Sequence, residues 1–149
     1  MIEIEVSTEI RRPVEEVFEF VKEAENIPKW DHDLLKAEKT TDGPIDKGSR
    51  FHIEFEPFMG ESQGDGEVID FEPGRLIELQ FHMGKMHPHM LQRFEAVNAG
   101  TRFTRLFRME PEGVLKLAAP MMKRTIRKHN EAALANLKGL LETRSSGIA

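Results

Sequence analysis

Residues 89–109 have the sequence HMLQRFEAVNAGTRFTRLFRM, and this stretch decides the fold class. On both sides of Asn98-Ala99-Gly100, apolar and polar residues alternate with a period of two, which is typical of a strand with one buried face. A short Gly-containing break between two such runs predicts a β-hairpin. We therefore predict two antiparallel strands, over 89–97 and 101–109.

The same alternation recurs toward the N-terminus at nearly even spacing. It predicts further strands over residues 2–6, 34–41, 50–57, 67–71 and 75–83. Because these runs are separated by short turns, of which Pro73-Gly74 is one, they predict an antiparallel meander rather than a parallel sheet.

Three helical stretches complete the pattern. Pro13 begins a helix whose apolar residues recur at i, i+3, i+4 and i+7, and residues 25–30 predict a second, short helical piece. The chain closes with one long helix over about 114–143, which Pro120 is expected to kink or restart.

This order of elements predicts an α+β fold. We expect a curved antiparallel sheet of about seven strands wrapped around the long C-terminal helix, with two short helices after the first strand. The sheet must bury its apolar face, and the C-terminal helix is the only element large enough to cover it. We expect a single domain over 1–149, with residues 144–149 as a frayed tail.

Composition excludes several classes of protein. The net charge of −5 argues against a general nucleic-acid binder, and the absence of cysteine excludes disulfides, thiolate zinc sites and cysteine nucleophiles. No apolar run is long enough for a membrane span, and the N-terminus lacks the features of a signal peptide. We expect a cytoplasmic protein without cofactor, metal, nucleic-acid partner or stable membrane insertion.

Five segments carry a resemblance to a known family. They are IRRPVEEVFEFV at 10–21, AENIPKW at 24–30, VIDFEPGRLIEL at 68–79, RFEAVNAGTRFT at 93–104 and ALANLKGLLE at 133–142. In this order the chain resembles the START/Bet v 1-like (SRPBCC) superfamily, in its polyketide cyclase/dehydrase-like branch, whose members have the helix-grip fold. The resemblance covers nearly the whole chain and specifies a fold rather than a substrate.

The resemblance implies an elongated cavity between the sheet and the long helix, for an apolar or aromatic small molecule. It also implies that Trp30 lies in the core or the cavity wall, and that Gly60, Gly64 and Gly66 form a flexible hairpin at the cavity mouth. Cyclases of this superfamily often use Tyr and Arg side chains, and this sequence departs from them because it contains no Tyr.

Pattern and resemblance together predict a set of ligand-binding residues. These are Trp30, Phe51, Ile53, Phe55, Phe81, Met83, Met90, Gln92, Phe94, Phe103, Arg105, Phe107, Met122, Ile126 and His129. The Phe and Met side chains among them could line a deformable pocket or pack as ordinary core, since Met fills irregular gaps.

Arg105 carries the most information of any single residue, because its strand register places it inward with Phe103 and Phe107. A buried guanidinium needs a partner. The alternatives are a ligand carboxylate or phenolate, a Glu at the edge of the core, or a bulge that turns Arg105 outward. Gln92 could give one hydrogen bond to a ligand, and His129 is either a cavity base or a buried structural residue.

The other polar clusters are interpreted as solvated surface rather than as functional sites. His82, His87 and His89 suit a polar hairpin end better than a metal site, and Asp31-His32-Asp33 suits a solvated loop. The basic run within 123–128 suits a solvated helix face, with a phosphate or membrane-surface role as its alternative.

Three functions are compatible with this sequence. The first is a carrier or sensor that binds a small hydrophobic or amphipathic molecule, such as an aromatic, polyketide-like or lipid-like compound. The second is a cyclase or dehydratase that uses Arg105, His129 or Gln92, and the third is a protein-interaction module with a filled core. A homodimer is left open, and an internal cavity would separate the first two functions from the third.

Overall fold

The computed structural model describes residues 1–144. Its strands are β1 (Ile2–Ile10), β2 (Leu34–Lys39), β3 (Arg50–Phe58), β4 (Glu61–Glu72), β5 (Leu76–His82), β6 (His89–Val97) and β7 (Gly100–Met109). Its helices are α1 (Val14–Lys22), a first 3₁₀ helix (Ala24–Lys29), a second 3₁₀ helix (Gly113–Ala118) and α2 (Ala119–Glu142). Of the predicted tail, residues 145–149 lie outside the described residues.

The seven strands form one antiparallel sheet in the order β1-β7-β6-β5-β4-β3-β2. Strands β2 to β7 are a meander, and β1 joins its far edge by pairing with β7 from Ile2 opposite Met109 to Ile10 opposite Thr101. Each strand except β1 therefore lies beside its neighbour in sequence. The predicted α+β helix-grip architecture is confirmed, including the two short helices after the first strand.

Helix α2 covers the concave, apolar face of the sheet. Its buried residues recur at helical spacing and meet the inward side chains of β1: Met122, Ile126, Ala133, Leu134, Leu137 and Leu141 against Ile2, Ile4, Val6 and Ile10. Pro120 lies in the first turn of α2, where its missing N–H is tolerated. The proline therefore restarts the helix after the second 3₁₀ segment instead of kinking it.

Strand β4 is longer than the sequence predicts. Its additional residues include Gly64 and Gly66, for which the family resemblance implied a flexible hairpin. A Cβ at Gly66 would lie 2.8 Å from the ring of Phe81, and a Cβ at Gly64 would lie 2.6 Å from Cγ of Met83. These glycines therefore let the large side chains of β5 and the turn after it pack against β4. Only Gly60 lies in the turn, with φ of +85°.

Because α2 covers the core, truncating a buried and an exposed leucine should change the free energy of unfolding by different amounts. Leu137 is fully buried and Leu117 is 87% exposed. Leu137→Ala should lower the free energy of unfolding by about 2–5 kcal/mol, because it leaves a cavity beneath the helix. Leu117→Ala is the matched control and should change it by less than about 0.5 kcal/mol. Urea denaturation measures both, and equal losses would contradict this account of the core.

Candidate ligand-binding cavity

A cavity of about 370 Å³ lies between the concave face of the sheet and α2. Eleven of the fifteen predicted site residues line it: Phe51, Ile53, Phe55, Phe81, Met83, Met90, Gln92, Arg105, Phe107, Ile126 and His129. They come from β3, β5, β6, β7, α2 and the turn after β5. The wall is apolar over most of its extent, because alternate residues of each strand face inward.

The other four predicted residues do not line the cavity. Trp30, Phe94, Phe103 and Met122 are all buried in the core. The rings of Phe94 and Phe103 are 5.0 Å apart, and Phe18 of α1 lies 5.0 Å from Phe94. One part of the interior is therefore filled by α1 and by packed aromatic rings, whereas the part toward β3 and β5 is hollow.

Several lining residues were missing from the sequence prediction. Ile77 and Leu79 continue the inward alternation of β5 that ends at Phe81, so the pattern already contained their signal. The others are Val21, Lys22, Ile27, Asp31, Asp33, Leu34, Ala37, Ile45, Glu56, Pro57, Phe58, Met86, Pro88, Met109, Thr125 and Asn130. Most of these belong to loops and strand ends, whose inward direction no periodicity reveals.

Arg105 lies at the polar end of the cavity and is 3% exposed. One of its terminal nitrogens, Nη1, donates hydrogen bonds to Oδ2 of Asp31 at 3.2 Å and to Oδ1 of Asn130 at 2.9 Å. The other, Nη2, donates to Oε1 of Gln92 at 3.4 Å. Among the alternatives for Arg105, the structure thus has an internal carboxylate partner, and that partner is Asp31 rather than a Glu.

The prediction of a solvated loop at Asp31-His32-Asp33 is wrong for Asp31. His32 and Asp33 are exposed, but Asp31 is buried. The backbone N–H of Asp31 donates to the carbonyl of Ile27 at 2.8 Å, which continues the turn of the first 3₁₀ helix. This turn directs the carboxylate inward to Arg105, where the guanidinium compensates for its burial.

His129 bridges two carboxylates beside this ion pair. Its Nε2 lies 2.8 Å from Oδ1 of Asp31 in an ion-pair contact that is not aligned as a hydrogen bond, and its Nδ1 contacts Oδ2 of Asp33. Burial disfavours the imidazolium, but the two carboxylates outweigh burial and raise the pKa of His129. Burial also opposes ionisation of Asp31, yet His129 and Arg105 hold its pKa below the usual range.

Trp30 packs behind Arg105, on the core side of the polar end. The guanidinium carbon of Arg105 lies 4.9 Å from the centroid of the Trp30 ring, a cation–π arrangement. The ring also meets Phe103 edge-on at 6.1 Å, and the amide of Asn136 in α2 donates to the Trp30 carbonyl at 3.2 Å. The only tryptophan of the chain is therefore in direct contact with a residue of the cavity wall.

The remaining histidines lie away from the cavity. The Nδ1 atoms of His82 and His87 are 2.9 Å apart at an exposed hairpin end, and His89 pairs with Glu78 on the outer face of the sheet. Within residues 1–144, no cluster of three or more His, Cys, Asp or Glu side chains is arranged to hold a metal ion.

Residues 1–142 match the family described as polyketide cyclase/dehydrase and lipid transport. The chain belongs to this family. The resemblance inferred from the five sequence segments is thereby confirmed, and a curved sheet around an internal cavity is consistent with ligand binding by a member of this family. Among curated protein sequences, none matches the chain.

Solved structures share the fold of this family member at low sequence identity. Protein MLL2253 from Mesorhizobium loti superposes with a TM-score of 0.75 at 15% identity, over 96% of this chain and 98% of the other. Protein CV1439 from Chromobacterium violaceum gives 0.73 at 13% identity, over 96% and 99%. DynU16, a protein in the dynemicin biosynthetic locus, gives 0.69 at 16% identity, over 96% of this chain and 48% of its own. These likenesses concern the fold alone.

The internal pairing of Arg105 predicts a large cost for removing it. Arg105→Met should lower the free energy of unfolding by about 3–5 kcal/mol, because the buried Asp31 carboxylate loses its guanidinium partner and keeps only its contact with His129. Adding Asp31→Asn to this variant should restore part of the loss, since the buried carboxylate that lost the guanidinium is removed. Thermal and urea unfolding of ligand-free wild type and of the two variants test this. An Arg105→Met protein as stable as wild type would contradict the internal pair.

The His129 bridge predicts a pH dependence of stability. Because its pKa is raised above the ordinary value of 6.5, the native state holds the proton more tightly, so the bridge stabilises the fold fully below that value. This contribution should disappear as the pH rises from about 6.5 through the raised pKa. His129→Gln should remove this part of the dependence of the unfolding free energy on pH, and Asp33→Asn should make the dependence weaker. Urea midpoints across pH 5–9 measure the effect, and parallel curves for wild type and His129→Gln would contradict it.

Proposed function

We propose that this protein is a carrier or sensor that binds a small, neutral, amphipathic molecule in the cavity. One observation carries the proposal. The cavity is apolar along most of its wall and ends at a charge-balanced polar cluster formed by Arg105, Asp31, His129 and Asp33. A small-molecule site typically has this composition, with a few oriented polar groups in an apolar enclosure.

The apolar wall supports a hydrophobic ligand body. Phe51, Phe55, Phe81, Met83 and Met90 are among the side chains that line the hollow part. Burial of an apolar ligand there would be driven by about 25 cal/mol for each Å² of apolar surface removed from water. The volume, about 370 Å³, lies toward the lower end of the range for small-molecule sites, which favours a compact ligand.

The polar end supports a neutral head group rather than an anionic one. With His129 protonated, two cationic and two carboxylate groups balance, and Arg105 already has its counter-ion. A ligand carboxylate would add an uncompensated buried charge. Within residues 1–144, the buried Nε of Arg105 has no hydrogen-bond partner, so its N–H could donate a hydrogen bond to a ligand hydroxyl or carbonyl oxygen.

A cyclase or dehydratase is the second candidate, and the contact of His129 with the cavity favours it. General base catalysis needs an available ring nitrogen. Both nitrogens of His129 face carboxylates, so proton transfer would require Asp33, which is exposed, to move away. A protein-interaction role has less support, because the interior is hollow in part.

The single-domain organisation, cytoplasmic location and homodimer stay predictions, as do the individual ligand contacts.

The proposal predicts selectivity between matched amphiphiles, measured through Trp30 fluorescence. At neutral pH, 1-decanol should change the Trp30 emission and bind roughly tenfold or more tightly than decanoate, because only decanoate carries a charge into the site. Native mass spectrometry of the purified protein provides an independent search for a bound small molecule. A preference for decanoate would contradict the neutral head group, and binding of neither would contradict the carrier function.

A cavity-filling variant provides the control for location. Ala37→Leu adds three carbons inside the cavity and should weaken decanol binding, whereas Ala132→Leu adds the same atoms on the exposed side of α2 and should leave it unchanged. Equal binding by both variants, with unfolding midpoints near wild type, would place the ligand elsewhere.

A further inference from the structure

Three large apolar side chains stand in solvent at the start of the C-terminal segment. Val114 is 82% exposed, Leu117 is 87% exposed and Met121 is 56% exposed. They lie on the second 3₁₀ helix and the first turn of α2, while Leu115 and Ala118 on the opposite side pack against the core. The segment is thus held in place by its inner face and presents apolar side chains on its outer face.

The same segment carries a concentration of positive charge. Lys116, Lys123, Arg124, Arg127 and Lys128 are all exposed, and residues 113–130 contain no Asp or Glu. The rest of the chain has 16 basic and 26 acidic residues, so this region is positive on a protein whose net charge is −5. None of the five basic side chains forms an ion pair with any residue in 1–144.

Helical spacing places Met121, Arg124 and Lys128 on one side of α2, beside the cavity. Residues three and four apart are neighbours on a helix, so Met121 lies beside Arg124 and Thr125, and Lys128 follows along the same side. Thr125 is exposed and also lines the cavity. We define the 114–128 face as the exposed apolar and basic residues of this segment: Val114, Lys116, Leu117, Met121, Lys123, Arg124, Arg127 and Lys128. Along α2 this face borders the cavity.

We propose that the 114–128 face docks the protein reversibly on an anionic lipid bilayer. Val114, Leu117 and Met121 would enter the interface between head groups and acyl chains, while the five basic side chains contact lipid phosphates. Apolar residues flanked by Lys and Arg are the combination that an anionic membrane surface attracts. For the part of the chain that the structure describes, no helix is long and apolar enough to cross a membrane, so this inference concerns surface binding.

The charge pattern favours a lipid surface over the other occupants. A nucleic acid would satisfy the basic side chains but would leave three apolar side chains against phosphates and sugars. A second copy of this face would bring two positive surfaces together, which opposes self-association. If the proposed function is correct, docking places the cavity beside a reservoir of amphipathic molecules, and this consequence alone depends on that function.

Vesicle flotation tests the docking directly. Wild type should float with vesicles in which about a third of the phosphatidylcholine is replaced by phosphatidylglycerol, and should remain free with phosphatidylcholine alone. Binding should weaken severalfold between low and near-molar salt, because the Debye length shortens from about 30 Å to about 3 Å. Absence of binding to the anionic vesicles at low salt would overturn the proposal.

Matched variants separate the two components of the face. Arg124→Glu/Lys128→Glu should reduce vesicle binding at least tenfold, whereas the control Lys47→Glu/Lys85→Glu makes the same change in net charge at exposed positions elsewhere and should retain most of it. Leu117→Ser/Met121→Ser, which keeps every charge, should also reduce binding severalfold. Equal loss in the control, or full binding by the Ser variant, would overturn docking by this face.

The decanol titration distinguishes this inference from the proposed function. All three double variants should bind decanol in solution as wild type does, and their unfolding midpoints should be unchanged, since the substituted side chains are exposed and outside the cavity lining. Failure of decanol binding in wild type with intact vesicle docking would remove the carrier function and leave the docking face. If Arg124→Glu/Lys128→Glu loses vesicle binding because it unfolds, its unfolding midpoint will be lowered. In that case Arg127→Gln/Lys128→Gln, which removes charges without reversing them, should still reduce vesicle binding. Full vesicle binding by this second variant would then overturn the inference.

Discussion

The arrangement of the cavity depends on the buried ion pair between Arg105 and Asp31. Arg105 projects from the middle of β7, a strand between β1 and β6, so its guanidinium emerges inside the sheet rather than at an edge. An isolated charge at this position would be strongly destabilising. The partners that compensate for it come from three other parts of the chain: Asp31 after the first 3₁₀ helix, Gln92 on β6 and Asn130 on α2. The same charge therefore orders the loop, the sheet and the helix that enclose the polar end.

The polar cluster around Arg105 lies between a packed part and a hollow part of the interior. On one side, Trp30 stacks on the guanidinium and meets Phe103, and the aromatic rings of Phe94 and Phe18 complete a close-packed region beneath α1. On the other side, toward β3 and β5, the side chains of residues 1–144 leave a cavity between the sheet and α2. The packed part supplies stability through burial, and the hollow part keeps apolar surface available for a ligand.

The distribution of charge gives the molecule two different faces. The chain outside residues 113–130 has more acidic than basic residues, and the region that begins α2 is basic and bears exposed apolar side chains. Helix α2 contributes to both functional proposals: its inner face supplies Ile126, His129 and Asn130 to the cavity, while its outer face supplies Arg124 and Lys128. A single rigid helix could thus couple a membrane surface to a binding site without any change in fold.

The sequence by itself determined most of the strands and helices, the antiparallel meander and the inward register of Arg105, because alternation and helical spacing are local properties of the chain. The family resemblance assigned Gly64 and Gly66 to a hairpin, since a glycine that leaves room for a neighbouring side chain cannot be told from a turn glycine until that side chain is placed. The sequence pattern assigned Asp31 to solvent. Asp31 and Arg105 are 74 residues apart, and only closure of the sheet around α2 brings them together. Tertiary structure alone decided which aromatic side chains fill the core and which line a cavity, because that depends on how far the sheet diverges from the helix, a distance that no periodicity encodes.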